Sequence, residues 1–389
     1  MAKKKTKLEQ KFEKYRGRKP GNNKQESNWD LYRDGVTISL IKKFLGCRER
    51  TRLSVVEGWR PKGFKFPLEF GNVFHIMEEL NMCGYSLDEC FDGARNYVQR
   101  KLEGLPLGAS DINDLLLLQD IAITTFRRYL QYWEEVTPTF VHEDLGEAYE
   151  GNIEWGKPEQ TFDVPVELCN GKIIRFRGRK DGAFTHPFTG LSGVKETKTK
   201  GRVFADAIEL ALLKDIQTGG YLYAHKLERQ EYPAHCVYNL IRRTQLEPRK
   251  GRGKAKKGRE SNEQFCQRLD EDIANRMDFY FMRWIVDVTP QDVDAFFTQT
   301  FEPILIQMCD WWDSIKDNPF DPWKLREKKL SKKNAEGHHT RNPLHFVRPY
   351  GSVDESVWGS GLGSFPEIIF KNDYSQYQQI DVPFSELED

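Results

Sequence analysis

Asp181 and the run Glu196-Thr197-Lys198 are the residues of this chain best suited to chemistry. Between them lies the turn-like segment His186-Pro187-Phe188-Thr189-Gly190, and the midpoint of positions 181 and 196 falls inside it. A hairpin folded there sets the two acids opposite each other on neighbouring strands. Side chains alternate along a strand, so Glu196 and Lys198 share a face. Two carboxylates offer hard oxygen ligands to a divalent cation. An ammonium beside them meets the charge that builds on a phosphorane. The chemistry implied is metal-assisted cleavage of a phosphodiester. A surface hairpin decorated with charge is the competing reading, because Lys195, Lys200 and Arg202 stand close by.

Gln217 and Tyr221 follow at a spacing of four, which puts an amide and a phenol on one helical face. Alone they read as ordinary helix residues; beside the acids they are placed to orient the lysine or a phosphate. His75 stands on an otherwise apolar helix. A histidine there is more often a satisfied core residue, but its neutral imidazole is also a nitrogen ligand.

These residues need elements to hold them. Ser39 caps a helix carrying Leu40, Ile41, Phe44 and Leu45, with Cys47 near its end. Pro67 precedes a helix over Glu69 to Met82, with Phe70, Phe74, Met77 and Leu80 at helical spacing. Further helices are expected over Leu87 to Leu102 and Ile112 to Glu135. Four strands then follow, at Glu147 to Trp155, Gln160 to Leu168, Lys172 to Phe184 and Leu191 to Lys200. Asn170-Gly171 turns the second into the third. A helix over Ala205 to Glu228, a strand over Ala234 to Ile241, a helix from Ser261 to about Met277 and a strand over Tyr280 to Val288 come next. A long helix from Pro290 to Ile315 ends in Trp311 and Trp312. The succession predicts an α/β core.

Composition bounds the rest. The chain has 389 residues, and Lys plus Arg and Asp plus Glu both number 59, so affinity for a polyanion must come from segregated charge. The densest basic run is Arg249 to Arg259, with Arg249, Lys250, Arg252, Lys254, Lys256, Lys257 and Arg259 and no acid. Seven cysteines without a Cys-x-x-Cys spacing argue against a disulfide framework or a zinc ribbon. The basic N-terminus lacks an apolar run and no stretch is apolar enough for a membrane span, so an intracellular protein without membrane attachment is expected. His338, His339 and His345 read as exposed histidines of a polar loop.

Taken together, the motifs resemble the PD-(D/E)XK nuclease superfamily, in its RecB-like, phage-type branch. Gly71-Asn-Val-Phe-His75 is similar to that branch's Gly-x-x-x-His motif, and Gly178-Arg179-Lys180-Asp181 to its Gly-x-x-Asp strand. Glu196-Thr197-Lys198 is similar to its Glu-x-Lys, and Gln217-Thr-Gly-Gly-Tyr221 to its Gln-x-x-x-Tyr helix. Each motif is weak alone, and the four stand in the right order. The resemblance covers roughly residues 35 to 316.

The resemblance implies a restriction-endonuclease-like α/β core, a mixed central sheet flanked by helices, with a helical N-terminal elaboration. It implies a Mg²⁺- or Mn²⁺-dependent deoxyribonuclease, an exonuclease working on DNA ends or single strands in recombination, repair or replication, with a possible partner protein from those processes. The metal ligands implied are His75, Asp181, Glu196 and the Thr197 carbonyl. Lys198 would position or activate water, with Gln217 and Tyr221 in support. Beside such a site, the run Arg249 to Arg259 becomes a DNA contact. A structure-specific endonuclease and a non-cleaving DNA-binding subunit are the alternatives. Many relatives hold an iron–sulfur cluster with one early cysteine and three near the C-terminus. Here Cys47 fits the early position and no cysteine follows Cys309, so no cluster is expected. The expected organisation is a basic flexible arm over 1–29 and a nuclease domain over 30–316. That domain divides into a helical part at 37–140, a core at 145–245 and a basic loop at 249–259. An irregular extension follows over 317–389, where Phe346, Trp358, Phe365 and Phe370 are candidates to pack on the N-terminal helix.

Overall fold

The computed structural model describes residues 28–46, 48–61, 65–104, 108–135, 139–142, 147–150, 154–185, 190–203, 208, 212–250, 260–316 and 377–379. The chain divides into two compact units. One comprises residues 63–162 and 179–297, the other residues 1–62, 163–178 and 298–389, and the division falls within two strands of the main sheet.

The elements in order are α1 (Leu31–Asp34), α2 (Ile38–Gly46), α3 (Arg48–Thr51), β1 (Trp59–Pro61), α4 (Phe66–Met82), α5 (Leu87–Gly104) and α6 (Ala109–Glu135). Then come β2 (Thr139–His142), β3 (Glu147–Glu150), β4 (Glu154–Glu167), β5 (Ile173–Thr185), β6 (Ser192–Lys200), α7 (Ile216–Arg229) and β7 (His235–Arg242). The last are α8 (Asn262–Ala274), α9 (Met277–Tyr280), β8 (Phe281–Asp287), α10 (Pro290–Phe296), α11 (Glu302–Ile315) and β9 (Tyr377–Gln379). The main sheet has the order β4-β5-β6-β7-β8. β5 and β6 are antiparallel, β6 and β7 are parallel with α7 in the crossover between them, and β8 is antiparallel to β7. This is a mixed five-stranded sheet flanked by helices, the α/β class expected. Among the described residues no helix is long and apolar enough to cross a membrane.

In the unit that carries Asp181 and Glu196, Phe70, Val73, Phe74 and Met77 recur at three- and four-residue steps along α4 and are fully buried. They join Phe126 and Tyr129 of α6, Phe265 and Leu269 of α8, and Phe281 of β8 in one core. Phe74 meets Phe126 edge-on at 5.3 Å between ring centres, the favoured arrangement for aromatic quadrupoles. Pro67 stands in the first turn of α4, where its missing N–H costs nothing.

In the other unit, Trp29, the last residue of the span expected as a flexible arm, is fully buried. Its ring meets Trp312 edge-on at 5.0 Å and its indole N–H donates to the Gly35 carbonyl at 3.0 Å. Gly35 has φ +75°, and a Cβ there would sit 2.2 Å from the Arg175 carbonyl oxygen, so only glycine fits this approach to β5. β9 pairs with β1, which gives the extension beyond 317 a short strand where none was expected. Phe346, Trp358, Phe365, Phe370, His338, His339 and His345 lie outside the described residues, as does Cys47. Cys309 is buried.

Several expected boundaries move, each for a local reason. The first helix is capped by Thr37, not Ser39: the Leu40 N–H donates to Thr37 Oγ1 at 3.2 Å. The expected strands Glu147 to Trp155 and Gln160 to Leu168 appear as β3, which is described over Glu147–Glu150, and a longer β4 that already starts at Glu154. It runs through Pro158, which an edge strand tolerates because it has a side without ladder bonds. The turn after β4 has three residues rather than the two of Asn170-Gly171. Leu168 N–H donates to the Lys172 carbonyl at 2.9 Å, and Gly171 takes φ +77°. Within the expected helix over Ala205 to Glu228, Ile208 is helical, 204–207 and 209–211 lie outside the described residues, and a 3₁₀ turn at Leu212–Lys214 precedes α7, which begins at Ile216 because Asp215 caps it by accepting from the Gln217 and Thr218 N–H groups. The long helix from Pro290 is broken by a π turn at Phe297–Phe301. Pro303 has no N–H to continue the ladder and stands in the first turn of α11 instead.

Candidate active site

Asp181 and Glu196 meet where the β5–β6 ladder ends. The paired residues run from Thr185↔Ser192 to Gly182↔Lys195, and the next opposed positions are Asp181 and Glu196. There the backbone bonding gives way to a side chain: the Thr197 N–H donates to Asp181 Oδ2 at 2.7 Å. The Asp181 carboxylate thus replaces a strand carbonyl as acceptor, which fixes it beside the start of Glu196-Thr197-Lys198.

Glu196 is 1% exposed. Its Oε1 pairs with the Lys198 ammonium and accepts from Gln217 Nε2 at 2.7 Å. The first interaction follows from strand alternation and the second from α7, which the Asp215 cap starts two residues before Gln217. Tyr221, one helical turn on, is buried and meets Phe162 of β4 edge-on at 6.0 Å. α7 lies close to α10 at Gly219, where a Cβ would come within 2.4 Å of the Phe296 ring. Burial works against the charge on Lys198, but Glu196 and then Asp181 outweigh it and push its pKa well up, so the side chain is an ammonium. Burial, then Glu196 and Asp181, push the Tyr221 phenol up, so it is a neutral donor.

Glu78 of α4 reaches the same strand through Lys195 and Thr197, and no sequence motif points to it. It is 4% exposed, and its Oε1 takes the Lys195 ammonium at 2.7 Å, the Tyr129 hydroxyl at 3.0 Å and the Thr197 hydroxyl at 3.2 Å. Burial alone would raise its pKa; Lys195 and His75, with the hydrogen bonds from Lys195 and Thr197, lower it, so Glu78 is a carboxylate. Beyond it, Asn239 Nδ2 donates to the Tyr129 oxygen at 3.4 Å and Arg283 Nε donates to Asn239 Oδ1 at 2.6 Å. The Arg283 guanidinium lies over the Trp133 ring at 3.7 Å. Thr197 therefore joins two networks, through its backbone to Asp181 and through its side chain to Glu78. The available signal was a glutamate three residues after His75 on an apolar helix, a position that needs a buried cation.

His75 stands on α4 with Nδ1 3.9 Å from Glu78 Oε2. Among the described residues no three His, Cys, Asp or Glu side chains form a group that could hold a metal ion. The structure thus brings together Asp181, Glu196, Thr197, Lys198, Gln217 and Tyr221, and places His75 against Glu78. Two carboxylates at a strand end are oxygen donors of the kind a hard divalent cation takes, with further positions left for water or phosphate oxygens. That donor chemistry fits Mg²⁺ or Mn²⁺ bound through Asp181 and Glu196.

Of the basic run, Arg249 and Lys250 are described and exposed. Arg249 and Glu260 form a closed base: the Arg249 N–H donates to Glu260 Oε2 at 2.8 Å and the Glu260 N–H to the Arg249 carbonyl at 3.1 Å. Arg252, Lys254, Lys256, Lys257 and Arg259 lie outside the described residues. No protein-family model matches the chain, and a search of curated proteins finds no similar sequence.

Proposed function

We propose that this chain is a divalent-metal-dependent nuclease of the PD-(D/E)XK type that hydrolyses phosphodiester bonds in DNA. It would act as an exonuclease on ends or single strands, inside the cell, in recombination, repair or replication. The observation that carries the proposal is the juxtaposition of Asp181 and Glu196 at the end of the β5–β6 ladder, with Lys198 paired to Glu196. The mixed five-stranded sheet flanked by helices supports it, because the motif resemblance implies a core of that class.

A Mg²⁺ or Mn²⁺ ion held by Asp181 and Glu196 would supply Lewis acidity and a water of lowered pKa. The residues of the chain do the rest. Thr197 N–H and Gln217 hold the two carboxylates in place before substrate arrives, which is preorganisation of the kind that gains most in a partly buried site. Lys198, kept as an ammonium, stands where negative charge accumulates on the phosphorane. In the reaction the water oxygen bonds to phosphorus as the water gives up a proton, and the bond to the leaving deoxyribose oxygen breaks. That oxygen leaves with a proton as a hydroxyl, and the other product is a phosphate monoester.

Incubating the protein with end-labelled linear DNA and with closed circular DNA, with Mg²⁺, with Mn²⁺ and with chelator, tests the proposal. Metal-dependent release of label from linear DNA, with circular DNA intact, is the expected result. Cleavage of the circles would replace the exonuclease by an endonuclease, and absence of cleavage under every condition would reject the nuclease.

A further inference from the structure

We propose that a single strand of nucleic acid runs from Glu196 across the C-terminal end of the sheet to Phe279, where one of its bases stacks. The proposal rests on the nuclease reading above and adds to it a binding surface with a defined partner. Glu196, Lys198 and Lys200 share one face of β6 by strand alternation. The parallel register sets Lys200 beside Arg242 of β7. The Arg243 N–H continues this pairing by donating to the Lys200 carbonyl at 2.8 Å. On the far side of β7, Ile241 pairs with Phe281, so Arg242 stands next to the chain entering β8. There the Arg242 guanidinium lies over the Phe279 ring at 3.9 Å while its Nε donates to the Phe279 carbonyl at 2.9 Å. A second guanidinium, Arg276, lies 4.7 Å from the same ring centre.

Phe279 is 39% exposed, so its ring is within reach of a ligand from solvent. Neither segment leading to it carries an acid: 198–203 reads KTKGRV and 242–246 reads RRTQL. Two carboxylates stand near the ring, and both are engaged. Asp278 accepts from the Tyr132 hydroxyl at 2.7 Å. Asp272 takes Arg276 at 2.5 Å and the Tyr280 hydroxyl also at 2.5 Å, so it neutralises part of the Arg276 charge. A partly exposed aromatic ring among guanidinium groups, at the end of a row of cations, has the chemistry that binds unpaired bases by stacking, on the ring or on the guanidinium planes beside it, and their phosphates by charge. A duplex keeps its bases stacked on each other and offers no free face to Phe279, so the partner is a single strand.

The spacing fits as well. Four strand residues from Glu196 to Lys200 span about 13 Å, and two strand spacings on to Phe279 add roughly 10 Å sideways. The diagonal is about 16 Å, a distance that a few nucleotides of an unstacked strand bridge. The base held by Phe279 would therefore lie a few nucleotides from the bond that is cut.

The test measures fluorescence anisotropy of a labelled twelve-nucleotide oligothymidylate, without divalent metal, against wild type, Phe279→Ala and Phe279→Trp. A matching oligonucleotide whose middle sites are abasic, and a duplex of the same length, serve as comparisons. The expected result is that Phe279→Ala loosens the single strand by roughly tenfold or more. Phe279→Trp should restore it, and abasic and duplex DNA should bind wild type and Phe279→Ala alike. Phe279 is exposed, so the variant should unfold at the wild-type temperature, and that measurement accompanies the titrations. Equal loss on abasic DNA, or no loss on oligothymidylate, overturns the stacking site and leaves the nuclease standing if wild type still cleaves DNA. A wild-type protein that neither binds nor cleaves any DNA rejects both.

Discussion

The Asp181 carboxylate accepts the Thr197 N–H at 2.7 Å, in the place where the next backbone bond of the β5–β6 ladder would have formed. A side chain that closes a ladder is tied to the register of the two strands, so the geometry of the acid pair is a property of the hairpin. This separates two roles that mutation can tell apart. As an acceptor Asp181 holds strand β6, and as a charge it would serve the proposed reaction.

Asp181→Asn keeps an acceptor for Thr197 and removes the charge. The predicted outcome is an intact fold by circular dichroism with cleavage of linear DNA reduced at least a hundredfold. Glu196→Ala and Lys198→Ala should lose cleavage to a similar extent. Rates from end-labelled DNA check all three, and a Glu196→Ala protein cutting at the wild-type rate would place the chemistry elsewhere.

Glu78 and Lys195 form a buried pair, 6% and 3% exposed at their side chains. Removing one partner strands the other charge in the core, which costs about 3–5 kcal/mol. Glu78→Gln should therefore lower the denaturant midpoint strongly. Adding Lys195→Met to it should recover much of the loss, since the pair together is replaced by neutral groups of similar size. A double variant no more stable than Glu78→Gln would show that Glu78 acts through Tyr129 and Thr197 instead of through Lys195.

The acid hairpin was legible because β5 and β6 lie close together in the sequence, so register follows from counting outward from the pair Thr185 and Ser192. The core face of α4 was legible for the same kind of reason: Phe70, Phe74 and Met77 recur with the helical period. Glu78 was not, because its partner Lys195 comes from a distant strand, and no local pattern reports which buried anion will meet which buried cation. The break before α7 was not legible because no proline or glycine marks it between Leu212 and Asp215, whereas the Asp215 side chain decides where the capped helix begins. The break at Phe297 escaped for a related reason. The apolar period runs through it, and only Pro303 marks the change.

His225 is fully buried, with Nε2 2.8 Å from the Ser192 hydroxyl, which itself donates to Glu231 at 2.9 Å. Burial first, then Lys180 and Arg229, push its pKa down from the ordinary 6.5 to about 3. Between those values the unfolded chain binds a proton at this site and the folded chain does not, so stability falls as pH drops below about 6.5. The stabilisation is complete above that pH and the slope at this site is roughly 1.4 kcal/mol per pH unit. Unfolding temperatures measured from pH 7 to pH 4.5 should fall more steeply for wild type than for His225→Gln, whose amide does not titrate. Parallel curves would mean that the buried imidazole takes up its proton without unfolding.

The charge run Arg249 to Arg259 makes the last prediction, which depends on sequence for its charge and on structure for its anchor. A chain with no net charge needs a local cationic surface to hold a polyanion, and this is the densest one it has. Its two ends are joined through Arg249 and Glu260, and the Glu260 carboxylate is bound in turn by Arg268 at 2.8 Å from two nitrogens. Arg268 pushes the Glu260 pKa down to about 2, against the opposing effect of burial and with help from the Arg249 N–H, so this anchor stays ionised at neutral pH. Lysines that meet phosphates release counterions and do not discriminate between sequences. Replacing Lys254, Lys256 and Lys257 with Gln should weaken binding by the same factor on every sequence tried. It should also flatten log affinity against log salt by roughly one unit of slope for each phosphate the run no longer neutralises. The Phe279 substitution, which removes stacking and no charge, should leave that slope unchanged, so the two variants distinguish charge neutralisation from stacking. An unaltered slope in the triple variant would show that this run does not touch DNA.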